Sequence, residues 1–242
     1  MTAVFVHGVP DTHRVWRPVM ERLDRAGAVA LSLPGFDAPL PEGFTATKDE
    51  YVSWLIRELE RFDGPVDLVG QDWGSLLVTR VASLRPDLVA SFVGGGAPVS
   101  GEYVWHKAAR LLQQPGAGEK TMAGLNEITG VRLLMANGVP EDQAREAARQ
   151  IDGRMKDCIL RLYRSALTVF PEWEPELSSI RAPGLVLWGG RDQYASARFA
   201  DRMGEQTGAR VVHFPDCGHW WQCEAPERTA DEIAGFWREL GR

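Results

Sequence analysis

The sequence predicts an α/β fold, with a parallel sheet of about six strands covered by helices on both faces. Three observations carry that expectation. Six short apolar runs recur along the chain, at Ala3–Val6, Ala28–Leu33, Val66–Val69, Ser91–Gly94, Gly184–Trp188 and Arg210–Phe214. Their near-continuous hydrophobicity is what strands buried on both faces require. Helical patterns lie between them, and strand–helix alternation implies parallel pairing through right-handed crossovers. The length of 242 residues, with 44% hydrophobic and 25% charged side chains, suits one such globular domain.

The elements follow in order. Val15, Trp16, Val19, Met20 and Leu23 form one apolar stripe. Tyr51, Val52, Leu55, Ile56, Leu59 and Phe62 form a second, preceded by Thr47–Lys48–Asp49–Glu50, which reads as a capping box. Leu76 to Leu84 forms a third, ended by Pro86, and near the C-terminus Pro226 opens a helix whose Ile233, Phe236, Trp237 and Leu240 face inward. From about Val99 to Leu177 no strand is evident. Helices are expected there over Tyr103–Leu112, Lys120–Asn137 and from Glu141 through Tyr163. Residues 1–98 and 178–242 are therefore expected to form the core, and 99–177 a helical cap inserted after the fourth strand, as a lid over the sheet edge.

Charge and composition exclude several functions. A net charge of −6 with no long basic run argues against nucleic acid. Cys158, Cys217 and Cys223 lack metal-ligand spacing and read as buried thiols of a reducing compartment. The opening MTAVFVHG has no basic leader or long apolar stretch, and no run reaches the ~20 apolar residues of a membrane span. The expectation is a cytoplasmic enzyme, monomer or homodimer, with no metal or organic cofactor.

The chemistry concentrates at strand ends. Val66–Val69 runs into Gly70–Gln71–Asp72–Trp73–Gly74 and then a helix, a sharp strand–turn–helix elbow with Asp72 at its apex. A carboxylate at the positive end of the following helix is stabilised in its charged form. Attack by serine on a saturated carbon would leave an ether, whereas attack by a carboxylate leaves an ester that water can open at the enzyme's own carbonyl. Asp72 thus predicts substrates with a leaving group on sp3 carbon, chiefly epoxides and alkyl halides, with water as second reactant. Asp192 follows the fifth strand, and His219 the sixth. His219 is expected to activate water, with Asp192 fixing its tautomer. Asp216, three residues from His219, reads as a turn former. His213 reads as a packed strand residue. His7–Gly8–Val9–Pro10 ends the first strand, and the N–H groups of Val9 and Trp73 are expected to form the oxyanion hole. His7 reads as a loop organiser.

At HGVPD, GQDWG, WGGRD and GHWWQCEAPE the chain resembles the epoxide hydrolase and haloalkane dehalogenase branch of the α/β-hydrolase superfamily, over essentially its whole length. The order Asp72, Asp192, His219 matches the nucleophile–acid–base order of that fold. One departure is that relatives usually carry two further strands before HG-x-P, so the resemblance implies a sheet lacking the N-terminal antiparallel strands. It also implies cap tyrosines that hydrogen-bond an epoxide oxygen. Tyr163, in Leu162–Tyr163–Arg164, is the first candidate and Tyr103 the second. Dehalogenases need two N–H donors for the halide. Trp73 is one candidate and Trp105 the other, since Val9 stands where an Asn would otherwise serve. The tyrosines favour epoxide hydrolysis, with dehalogenation the alternative. An ester hydrolase and a binding or lyase member of the fold stay open.

Overall fold

The computed structural model describes residues 1–242. Six strands form, β1 Ala3–Val6, β2 Val29–Leu31, β3 Val66–Gly70, β4 Val89–Gly94, β5 Gly184–Gly189 and β6 Arg210–Phe214. All neighbours pair in parallel in the order β2-β1-β3-β4-β5-β6, with Val4 opposite both Val29 and Leu68. The expectation of strands buried on both faces holds for β1, β3 and β5, whose residues are all buried. It fails at β2 and β6, which are half-exposed because they are the two edges of the sheet.

Helices cover both faces. The first are α1 Arg17–Leu23, α2 Lys48–Leu59 and α3 Trp73–Leu84. The stretch between β4 and β5 contains α4 Lys107–Gln113, α5 Ala117–Gly124, α6 Glu127–Ala136, α7 Glu141–Arg149, α8 Gly153–Ser165 and α9 Val169–Trp173. The fold ends with α10 Arg198–Thr207, α11 Trp221–Glu224 and α12 Pro226–Glu239. Period-two alternation sorts each strand's side chains between two cores. Ala3 and Phe5 pack with Trp16, Trp221 and Phe236, while Val4 and Val6 pack with Tyr51, Leu77 and Val78. The second core runs on without a break into the helices after β4, through Met155, Tyr163 and Phe170. All three cysteines are free and buried. No helix is long and apolar enough to cross a membrane.

Of the three helices expected after β4, one starts late and two are broken in the structure, each at a residue that caps a new start. Tyr103 to His106 is not helical, and α4 begins only where the His106 ring accepts the Ala109 N–H. The run 120–137 divides at Asn126, which accepts the Thr129 N–H at 3.1 Å. The run 141–163 divides at Asp152, which accepts the Met155 N–H at 2.7 Å. Short polar side chains compete for backbone donors in this way, which periodicity alone does not register. The expected capping box at α2 is also only half formed. Thr47 accepts the Glu50 N–H, but the Glu50 carboxylate takes the Thr45 N–H at 2.8 Å instead of that of Thr47.

Chain order reverses direction across β1, because β2 lies on one side of it and β3 on the other. In parallel sheets such a switch point opens a crevice at the strands' C-terminal ends. The loops after β1, β3, β4, β5 and β6 all leave the sheet at that edge.

Candidate active site

Asp72 sits between β3 and α3 at φ 53° and ψ −126°. A non-glycine residue in this region costs about 1–3 kcal/mol and is retained where the surroundings over-determine it. Here the Asp72 N–H donates to the Gly95 carbonyl at 2.9 Å, and the Asp72 carbonyl accepts the Ser75 N–H at 2.9 Å. Gly74 is required by close approach, since a Cβ there would run into the Val6 carbonyl. The elbow lifts the carboxylate to where Oδ2 accepts the Val9 N–H at 3.0 Å. The Trp73 N–H, at the first helical position, is among the amides that a helix start leaves without an intrahelical partner.

Oδ1 of Asp72 faces His219 Nε2 at 3.6 Å, longer than a hydrogen bond. On the other side of the ring, Nδ1 donates to Asp192 Oδ2 at 2.8 Å. The Asp192 carboxylate is fully buried, and its second oxygen accepts the Tyr194 and Ala195 N–H groups at 2.8 and 3.1 Å. Three donors thus fix that carboxylate, and it in turn fixes the imidazole tautomer. The His219 loop is tied down as well. Gln71 Nε2 donates to the His219 carbonyl at 3.0 Å, and the Gly218 N–H donates to Glu224 at 2.9 Å. Burial lowers the His219 pKa, but the Asp192 and Asp72 carboxylates outweigh it and raise the value to about 10. The ring is therefore an imidazolium while both carboxylates are charged.

The remaining histidines are not at this centre, with one exception. His7 bridges the Gly8 carbonyl at 2.7 Å and the Leu33 N–H at 3.0 Å, and burial holds its pKa down at about 4, so it organises the loop as a neutral ring. His13 pairs with Ser32, and His213 with Asp201. Asp216 lies on the surface against Arg191. The exception is His106, which lines the same cavity as Asp72 and His219.

That cavity has a volume of about 370 Å³ and is lined by 24 residues, 15 of them hydrophobic. Asp72 is the only carboxylate in its wall, and no Lys or Arg contributes to it. Tyr163, Tyr103, Trp105 and Val9 line it, whereas the Trp73 ring lies behind them, 1% exposed and packed at 6.1 Å on Trp105 and 5.5 Å on Tyr163. The Tyr103 hydroxyl donates to the Tyr194 carbonyl at 2.9 Å, so its one proton is already engaged. Burial pushes the Tyr163 phenol well above its ordinary pKa. Trp105 is the one cavity-lining tryptophan whose indole N–H is buried without a protein partner, since Trp220 donates its own to Asp11 at 2.9 Å. No three His, Cys, Asp or Glu side chains converge as metal ligands.

Sequence reasoning missed His106, Tyr194, Trp220 and Asp11. Tyr194 follows Asp192 by two residues, and its ring meets His219 edge-on at 4.9 Å; Trp220 does the same from the other direction at 4.8 Å. Asp11, in the HGVPD motif, is 2% exposed, and burial raises its pKa to about 6. A raised carboxyl contributes stability that is complete below the unfolded value near 3.8 and is lost as pH rises through about 6. Asp11→Asn keeps an acceptor for the Trp220 N–H and removes the buried charge. It is expected to raise unfolding free energy at pH 7 by on the order of 1–3 kcal/mol. Urea unfolding at pH 7 and pH 4 checks this, because the gain should nearly vanish at the lower pH.

A model of the alpha/beta hydrolase family matches residues 3–232. The chain is 26% identical over 234 residues to an (E)-2-((N-methylformamido)methylene)succinate hydrolase of Acinetobacter baylyi, covering 93% of this chain and 86% of that one. It is 27% identical over 233 residues to haloalkane dehalogenase 1 of Mycobacterium bovis, covering 88% and 72%. Among solved structures, the haloalkane dehalogenase DbeA of Bradyrhizobium elkani superposes with a TM-score of 0.80 at 20% identity, over 99% of this chain and 90% of that one. At that identity the superposition speaks to the fold.

Proposed function

Because the chain belongs to the alpha/beta hydrolase family, we propose that it hydrolyses small, uncharged apolar molecules at a saturated carbon, displacing halide through an ester on Asp72. The observation that carries this reading is the division of labour on one carboxylate. Oδ2 is held by the Val9 N–H at 3.0 Å, which leaves Oδ1, facing His219, as the attacking atom. In the first step Oδ1 bonds to the substrate carbon and the C–X pair departs with X. In the second, His219 takes a proton from water, which adds to the Asp72 carbonyl while Val9 and Trp73 N–H groups hold the oxyanion. The intermediate collapses to free carboxylate and alcohol. Timing follows from charge: esterification removes the Asp72 carboxylate, the lesser of the two that raise the His219 pKa after Asp192, and so shifts the ring toward its neutral, basic form.

The wall of the cavity supports the substrate class. With no Lys or Arg to pair with a carboxylate, a dicarboxylate such as the name of the Acinetobacter relative implies would enter at a large desolvation cost. The helices after β4, at 99–177, act in this reading as the lid that closes over the substrate. Halide is favoured over epoxide because Tyr103 has committed its proton to Tyr194, while the Trp105 N–H is buried without a protein partner in the cavity wall, where a small turn of the ring would bring it to a halide. Epoxide hydrolysis remains the second reading, favoured by Tyr163 in the cavity wall.

The test is parallel assay of halide release from 1-bromohexane and diol formation from 1,2-epoxyhexane. Halide release with little diol is the expected result, and absence of both products overturns the reading. Trp105→Phe is expected to slow halide release by roughly 10–10²-fold, in line with loss of one charge-stabilising donor. If instead Tyr163→Phe abolishes a dominant diol activity, the epoxide reading replaces it.

A further inference from the structure

The cavity wall holds two histidines, and the two steps above leave one of them, His106, without a task. His106 precedes α4 and lines the same wall as Asp72, His219 and Trp105. Its Nδ1 accepts the Ala109 N–H at 3.3 Å and so caps the helix. An imidazole nitrogen that accepts carries no proton, which puts the hydrogen of the neutral ring on Nε2. Nε2 has no protein partner, because the bond to Ala109 is the ring's only hydrogen bond. Burial lowers the His106 pKa, against the pull of the Asp72 and Asp192 carboxylates and with the help of His219 and Arg110. The ring is therefore a neutral donor at pH 7. Its position is fixed by aromatic neighbours, at 5.0 Å from the Tyr194 ring and 6.4 Å from that of Trp105. Tyr194 in turn contacts His219, so His106 stands one ring away from the base.

We propose that His106 is a further catalytic residue of this site, its Nε2–H donating a hydrogen bond to the atom that leaves the substrate carbon. The inference rests on the Asp72-ester reading given above. As Asp72 Oδ1 bonds to carbon and the C–X bond breaks, the electron pair goes to X, and a fixed donor holds that charge in a cavity poor in other polar groups. No proton is transferred from the ring.

Two substitutions separate this task from helix capping. His106→Asn keeps an acceptor at the Nδ1 position and loses the donor at Nε2. His106→Gln carries an amide N–H near the Nε2 position and loses the cap. Both are made in a His219→Gln background, and formation of the Asp72 ester from 1-bromohexane is timed by rapid-quench mass spectrometry. His106→Asn is expected to slow the ester by roughly 10²-fold, more for 1-chlorohexane than for 1-iodohexane, because chloride is the stronger acceptor. His106→Gln is expected to stay within a few-fold of the parent while melting at a lower temperature. Ester formation at the parental rate in His106→Asn, or the same loss for chloride and iodide, overturns the inference and leaves the Asp72 reading intact. No ester in the parent itself overturns both.

Discussion

Asp72→Asn is expected to reduce halide release to background, a loss of roughly 10⁴–10⁶-fold of the kind seen when a covalent nucleophile is removed. The amide is a poor nucleophile toward saturated carbon, and no other carboxylate lines the cavity to replace it. The fold should survive the change. Asn tolerates a positive φ nearly as well as Asp, so the elbow at φ 53° keeps its backbone, and the amide oxygen can still accept the Val9 N–H. Purified variant is assayed immediately and again after long incubation, with circular dichroism as the control for folding. A slow return of activity, accompanied by a one-dalton mass gain at the Asp72 peptide, would mark deamidation back to the carboxylate. Full activity at the first time point would remove Asp72 from the mechanism.

His219→Gln is expected to stop the reaction half-way. Oδ1 of Asp72 needs no base to attack, so one equivalent of halide should appear as a burst. The ester then persists, because water has lost the group that deprotonates it. Intact-protein mass should rise by the alkyl group of 1-bromohexane, and peptide mapping should place it on Asp72. Steady-state turnover should fall by roughly 10³-fold or more. The substitution also leaves Asp192 buried with one donor fewer, though the Tyr194 and Ala195 N–H groups still satisfy it. A modest drop in melting temperature is therefore expected alongside the trapped ester. Steady turnover with no accumulated mass would mean that the base lies elsewhere or that no ester forms.

What the residues state locally and what they state together part at the helices after β4. The strands were legible because a parallel sheet demands short apolar runs, and the runs at residues 3, 66, 184 and 210 needed no knowledge of their neighbours. The elbow was legible for the same reason, since a turn tight enough to bring the Gly74 backbone against Val6 admits little but glycine at that flank. Asp72, Asp192 and His219 could be named because each lies just past a strand's end, and parallel strands deliver their ends to one edge. Periodicity overran the breaks at Asn126 and Asp152, because a cap is one side chain's choice between water and a backbone amide.

The sequence by itself therefore determined the sheet, the elbow and the set of charged groups at its edge, all consequences of backbone geometry over a few residues. Only the tertiary structure decided which way the aromatic side chains around the cavity spend their hydrogen bonds. Tyr103 gives its proton to Tyr194, 91 residues away, and Trp220 gives its own to Asp11 across 209 residues. Trp73 turns its ring behind Trp105, and His106 spends one nitrogen on a helix start and leaves the other free. These outcomes depend on how close-packed helices meet across the cavity, and that packing is set by contacts between residues far apart in the chain.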